Sequence, residues 1–206
     1  MTASAITLTL SAREAACVTG VPLKQVRRIV YAGLLDVCAG DGKHSRGIHQ
    51  DGLVGLKLAH ETMDMLTLDG RRRLVRFLLL NPNARTARER DVSVNVRTMR
   101  NKVRKGLSML AKARDAVESD EAVLSGAPCV RRTRIPVHDI ADMLANGDSA
   151  EAIGKAYPQL SETQIELAAF YVKVYPGRGR RPKLFWRARR PCASSKIALE
   201  ELLPPP

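Results

Sequence analysis

Ile6, Leu8 and Leu10 alternate with threonines, the period of a short half-buried strand. Ser11 follows with Glu14 three residues on, the spacing of a capping box that opens a helix. Ala15, Ala16 and Val18 carry this helix inward until Gly20 stops it. Pro22 suits the first turn of a second helix, where a missing amide costs nothing; Val26, Ile29 and Val30 form its buried stripe and Gly33 ends it. Leu53, Leu56 and Met63 place a third helix over residues 50–65, and a fourth covers 71–80 before Asn81 and Pro82. Val92, Val94 and Val96 alternate as a strand does, after which Val103, Leu107, Leu110 and Ala111 return to helical spacing. Residues 129–131 and 134–136 read as short extended pieces, with Pro136 at a strand edge or exit because it cannot donate to a ladder. Three short helices complete the pattern: 137–145, 149–157 opened by Asp148 with Glu151 at capping-box spacing, and 162–175 opened by Ser161 with Gln164.

The pattern predicts a mainly α protein. A helix-turn-helix unit is followed by a minor β element, a small three-helix domain that is itself helix-turn-helix-like, and a basic C-terminal tail. Aromatic residues are only 4% of the chain against 45% hydrophobic, which favours short helices packed through aliphatic side chains over a large β-sandwich. Charge then divides the chain. Residues 85–114 hold ten Lys or Arg against two acids, whereas 120–175 hold eight acids against five bases, so a boundary is expected near Val117. The expected domains are 1–116, 117–176 and 177–206. Residues 177–192 carry seven Lys or Arg, no acid and no periodicity, and such a segment cannot bury enough surface to fold until something acidic orders it.

Lys and Arg outnumber Asp and Glu by 34 to 21, a net charge of +13 that directs attention to polyanionic partners. A membrane is the weaker candidate, since no apolar run approaches the ~20 residues of a spanning helix. The first ten residues lack the basic start and apolar centre of a signal peptide, so a cytoplasmic protein is expected. Cys17, Cys38, Cys129 and Cys192 form no CxxC, and His44, His49, His60 and His138 are scattered, which gives reduced thiols, no metal site and no cofactor. Enzyme readings fare poorly. The chain has no phosphate loop or nucleophile elbow, and Asp36, Asp41 and Asp51 lack helical spacing.

With Val26, Ile29 and Val30 inward, Lys24, Arg28 and Tyr31 share an outward stripe flanked by Gln25 and Arg27. Arg pairs with guanine, Gln with adenine, and Lys mostly with phosphate, so this face fits a recognition helix in a major groove. The bland alternative is a helix pair used only for packing, its charged face merely solvated. The run AREAAxxxGVPxxxVRRxxxxGLL over residues 12–35 resembles the winged-helix start of the MerR family of regulators, and residues 46–53 are similar to its wing and following helix, with Ile48 in place of the usual Tyr. The resemblance implies DNA binding and adds Arg46 as a wing contact. The same module guides some recombinases, but too little chain remains for their catalytic domain.

Residues 125–175 resemble a widespread bacterial domain of unknown function whose hallmark is a GTRIPV segment. Gly126, Pro128, Val130, Arg131, Thr133, Arg134, Ile135, Pro136 and Val137 carry the match, followed by Ile140, Leu144, Gly147, Ser149, Glu151, Ile153, Tyr157, Pro158, Leu160 and Pro176. Family members usually have Gly where this chain has Arg132, so either the bend relaxes or Arg132 takes a positive φ. The resemblance implies an antitoxin of the VapB type, encoded beside a toxin with a PIN-like ribonuclease fold. The three helices could instead serve only dimerisation or a second DNA contact.

In the tail, Gly177, Arg178, Gly179, Arg180, Arg181 and Pro182 look like the core of an AT-hook, which lies in a narrow minor groove. Alternatively Arg178, Arg180, Arg181 and Arg187 enter an acidic nuclease pocket while Phe185 and Trp186 anchor outside it, or the tail is simply solvated. The expectation taken forward is a cytoplasmic, homodimeric type II antitoxin that binds operator DNA and a PIN-like toxin. Its rival is a stand-alone transcriptional regulator.

Overall fold

Ser11 opens the first helix by reciprocal bonding: its hydroxyl accepts from the Glu14 amide at 3.3 Å, and its own amide donates to Glu14 Oε2 at 2.7 Å. The computed structural model describes residues 9–35, 37–39 and 46–177, with backbone alone for 37–39 and 46. Helix α1 (Ala12–Thr19) ends at Gly20, whose φ of +72° lets its amide close on Ala16 O, and Pro22 caps α2 (Leu23–Tyr31). Strand β1 (Thr9–Leu10) joins β2 (Val37–Ala39) and β3 (Arg46–His49) in an antiparallel sheet of order β1-β3-β2. Two further helices, α3 (Gly52–Glu61) and α4 (Leu68–Leu80), lead into the hairpin β4 (Thr86–Glu89) and β5 (Val92–Asn95), then the long α5 (Val96–Asp115). Strand β6 (Val117–Glu118) pairs with β7 (Cys129–Val130), and α6 (Val137–Ala145), α7 (Ala150–Ala156) and α8 (Glu162–Val174) complete a mainly helical chain with small antiparallel sheets.

Several expectations need correction. The third helix stops at Glu61, leaving Met63 in the turn beyond it. The Val92, Val94, Val96 alternation is only partly strand, because Asn95 caps α5 by accepting from Arg97 and Thr98 amides and so makes Val96 helical. Ala111 is exposed; the buried stripe of α5 runs instead through Val96, Met99, Val103, Leu110 and Ala113. Ser149, not Asp148, caps α7, accepting from the Ala152 amide at 3.1 Å.

The apolar side chains form three clusters. One gathers Leu10, Val18, Val26, Ile29, Ile48, Leu53 and Leu56 about α3, which is buried on nearly all sides. A second lies under the β4–β5 hairpin, where Leu58, Leu74, Leu78, Ala87, Val96 and Met99 meet. The third, with Val117, Ile140, Ile153 and Ile165, belongs wholly to residues 117–172. Helix α8 bridges the first and third: Ile165 and Val172 face the third, while Val174 is buried in the first with Phe170 and Tyr175 packed beside it. The described residues up to Pro176 accordingly form one compact unit.

Two contacts fix α1 against this frame. At Gly106, a Cβ would fall 2.2 Å from the Val18 carbonyl oxygen, so α5 rests directly on the backbone of α1. At the other end of α1, Glu14 is buried and accepts from Arg114 at 2.5 Å and from the Tyr175 hydroxyl, while Arg114 Nε donates to that hydroxyl at 2.9 Å. Burial pushes the Glu14 carboxyl up, but the bonds from Tyr175, Ser11 and Arg114 outweigh it and leave the pKa lowered. Burial and then the bond to Glu14 push Tyr175 up to about 12.

Helix propensity alone makes Gly→Ala worth about 1 kcal/mol of stabilisation in a helix interior. Gly154, with open space about its Cα in α7, should follow that rule. Gly106→Ala should reverse it and cost about 3 kcal/mol, because backbone cannot yield as a side chain does. Urea unfolding of both variants checks the opposite signs. Tyr175→Phe should cost about 1 kcal/mol at neutral pH. The Glu14 contribution is present above the ordinary carboxylate pKa and lost as pH falls through the lowered one; the Tyr175 contribution is present below about pH 10 and lost as pH rises toward about 12. The variant's stability profile should therefore be flatter at both extremes, measured by urea titration across pH.

Candidate nucleic-acid interface

At 100° per residue, burying Val26, Ile29 and Val30 of α2 turns Lys24, Arg27, Arg28 and Tyr31 outward, and all four are exposed, Tyr31 by 75%. Among the described residues Lys24, Arg27 and Arg28 form no ion pair, so their charge is uncompensated by a neighbouring carboxylate. Gln25 is only half exposed and lines a groove with Arg28, Ile29, Met63 and Arg71. Pro22 brings no side-chain acceptor to the start of α2, where the Gln25 amide donates to Pro22 O at 2.8 Å.

The turn between α1 and α2 is held from below. Lys57, almost buried on α3, donates to Thr19 O at 2.8 Å and pairs with Glu61 at 3.3 Å, placing its ammonium at the negative end of α1. The β2–β3 hairpin follows α2, with Arg46 opposite Ala39; the side chain of Arg46 lies outside the described residues. Ile48 is fully buried, paired across to Leu10 and Val37, so the hairpin is rooted in the core by an aliphatic side chain. Arg178, Arg180, Arg181, Phe185, Trp186 and Arg187 of the tail also lie outside the described residues.

Sequence reasoning passed over the arginines of α4, although three in succession were the available signal. Arg71 lines the same groove as Arg28 and reaches Ala59 O; Arg72 pairs with Asp69 at 2.8 Å and reaches Ala32 O just past α2; Arg73 makes a two-bond contact to Glu89 on β4. Successive residues of one helix thus face α3, α2 and the β4–β5 hairpin.

The hallmark segment of the C-terminal part has a physical reading. Arg132 sits at φ +62°, so the bend does not relax and a side chain occupies the left-handed position where glycine is at ease. Thr133 pins the bend by donating to Val130 O at 2.8 Å and accepting from the Ile135 amide at 3.2 Å. The Arg132 amide is taken by Glu118 at 2.7 Å, the Val130 amide by Ile135 O, and the Val137 amide by Pro128 O. Pro136 then caps α6, while Ile135 and Val137 are buried. A groove beside this bend is lined by Glu118, Asp120, Glu121, Cys129 and Thr133. Leu124 and Ser125, between the lining residues Val123 and Ala127, have φ of +49° and +54°. Cys129 is buried, and burial pushes its thiol up, as it does for Cys17. Among the described residues no three His, Cys, Asp or Glu converge as a metal site.

Residues 117–172 match the family described as protein of unknown function, DUF433. The match supports a DUF433 domain in this segment. Over 191 residues the chain is 29% identical to "Uncharacterized protein y4eO" of Sinorhizobium fredii (strain NBRC 101917 / NGR234), covering 84% of each. No solved structure matches. The match begins at Val117, the first residue of β6, so the domain includes the strand that takes the Arg132 amide.

The left-handed backbone costs a non-glycine residue about 1 to 2 kcal/mol, while glycine gives back about 0.5 to 1 in unfolded-chain entropy. Arg132→Gly should therefore stabilise the protein by up to about 1 kcal/mol, read as a rise in urea midpoint. A fall would mean that the Arg132 side chain itself holds the bend.

Proposed function

We propose that the chain is a DNA-binding repressor of its own operon and the antitoxin of a type II pair whose toxin is a PIN-like ribonuclease. The observation that carries the DNA reading is the outward face of α2, where Lys24, Arg27 and Arg28 stand exposed and unpaired among the described residues. We read α1, α2 and the sheet β1-β3-β2 as a winged helix-turn-helix of the MerR kind. Helix α2 enters the major groove, Arg27, Arg28 and Gln25 meet base edges, Lys24 and Tyr31 meet the backbone, and Arg46 on the hairpin meets the flanking strand. A second copy completes the reader, since such units recognise two half-sites one helical turn apart. Binding of this kind belongs in the cytoplasm.

The antitoxin reading rests on the resemblance carried by the GTRIPV-type segment of residues 125–175, and assigns toxin docking to residues 117–176. The tail residues Arg178, Arg180, Arg181 and Arg187 are proposed to meet the carboxylates of the nuclease pocket, with Phe185 and Trp186 as apolar anchors.

Arg27→Ala with Arg28→Ala should leave stability within about 0.5 kcal/mol of the parent, because both side chains are solvated. Each lost DNA contact should cost about 1 to 3 kcal/mol in a gel-shift titration against the chain's own upstream DNA at fixed salt. Unchanged affinity removes α2 as the reader. The same variant, mixed with the PIN-like product of a neighbouring gene, should still suppress RNA cleavage as fully as the parent. Unsuppressed cleavage by both proteins leaves a stand-alone regulator.

A further inference from the structure

A chain of arginine contacts runs from α2 to the β4–β5 hairpin. Arg28 on α2 and Arg71 on α4 line one groove, Arg72 reaches the Ala32 carbonyl beyond α2, and the adjacent Arg73 is bonded to Glu89 at the end of β4. Glu89 is the last residue before a two-residue turn, Arg90 and Asp91, since Glu89 pairs with Val92. Two neighbouring arginines of one helix therefore link the end of α2 to the last residue of β4.

The hairpin presents cations. Arg85, Arg88 and Arg90 are exposed, as are Arg76 on α4 and Arg97 in the first turn of α5, and none of these five pairs with a carboxylate among the described residues. Arg90 adopts φ +53°, a conformation that Gly or Asn takes more readily, and its carbonyl accepts from Arg88 Nε at 3.2 Å. The hairpin is not free to wander: Ala87 is buried in the cluster with Leu74, Val96 and Met99, and Glu89 is tied to Arg73. A rigid, cation-bearing hairpin linked to a reading helix has the chemistry of a phosphate clamp.

We infer that the β4–β5 hairpin is a second DNA-contacting element, with Arg88 and Arg90 on the phosphates that flank the segment read by α2. This inference rests on the DNA reading above and extends it. It assigns affinity rather than sequence preference to the hairpin, because phosphate contacts carry no base information.

The test compares the full chain with Arg88→Gln/Arg90→Asn, in which Asn keeps the left-handed turn while both charges are lost. Lys155→Gln/Lys173→Gln removes the same net charge from exposed positions on α7 and α8 and serves as the control. Binding to a labelled duplex of about 30 base pairs from the chain's own upstream DNA, and to one of scrambled sequence, is measured over a range of salt. The hairpin variant should bind both duplexes about tenfold or more weakly, with the slope of log affinity against log salt reduced by about 2 and the preference between duplexes unchanged. A slope and affinity equal to those of the control overturn the inference while leaving α2 as the reader. An altered preference between the duplexes also overturns it, since it makes the hairpin a base reader. No binding by the parent chain to either duplex overturns the DNA reading itself. Thermal unfolding at or above the parent's midpoint verifies that the hairpin variant is folded; should it melt lower, Arg88→Gln alone is measured, with half the slope change expected.

Discussion

Helix α5 can lie on α1 only because residue 106 has no side chain. That single absence lets the two backbones meet at Val18, and the rest of the arrangement follows from the closeness it permits. With α5 seated there, Val103 and Leu110 reach the cluster around α3, Arg114 reaches Glu14, and the first turn of α5 closes the floor beneath the β4–β5 hairpin. The close approach also explains why α1 needs no long apolar face: Ala15, Ala16 and Val18 suffice when the neighbouring helix comes to backbone distance.

What the sequence disclosed was mostly local. The Ser11 and Ser161 capping boxes, the Gly20 stop and the stripe of α2 depend on residues three or four apart, and each stands where spacing placed it. The strands β4 and β6 went unseen because a strand of two to four residues is defined by its partner, which lies elsewhere in the chain. At Asn95 a local rule competed with another: alternation continued through Val96, yet the Asn side chain accepts two amides and turns the backbone into a helix. Ser149 displaced Asp148 as a cap for a similar reason, two capping residues in succession differing only in register. The exposed face of α2 was legible from its period, whereas the arginines of α4 were not, since nothing in their spacing reveals that they bind three different neighbours.

Charge is distributed according to how it is compensated. Glu14, buried, is surrounded by donors; Lys57, nearly buried, is given a carbonyl and a carboxylate. Burial of an unpartnered ion would cost several kcal/mol, so these pairs are conditions of folding more than additions to stability. The arginines on α2 and on the hairpin face the opposite circumstance. They keep their hydration and lose nothing by lacking partners, which leaves their full field available to an incoming polyanion.

The Tyr175 hydroxyl has a consequence for how the polypeptide may be divided. Composition changes sign near Val117 and the DUF433 match starts there, which invites separation at that point. Yet the last residues of α8 belong, by packing, to the opening helices of the chain: Val174 is buried among them and Tyr175 bonds to Glu14, 161 positions earlier. A fragment ending at residue 116 would keep the carboxylate and the guanidinium but forfeit the phenol that bonds to both, together with the apolar cover of Val174. The genealogical border of the domain and its mechanical border are therefore different places, and the second lies after α8.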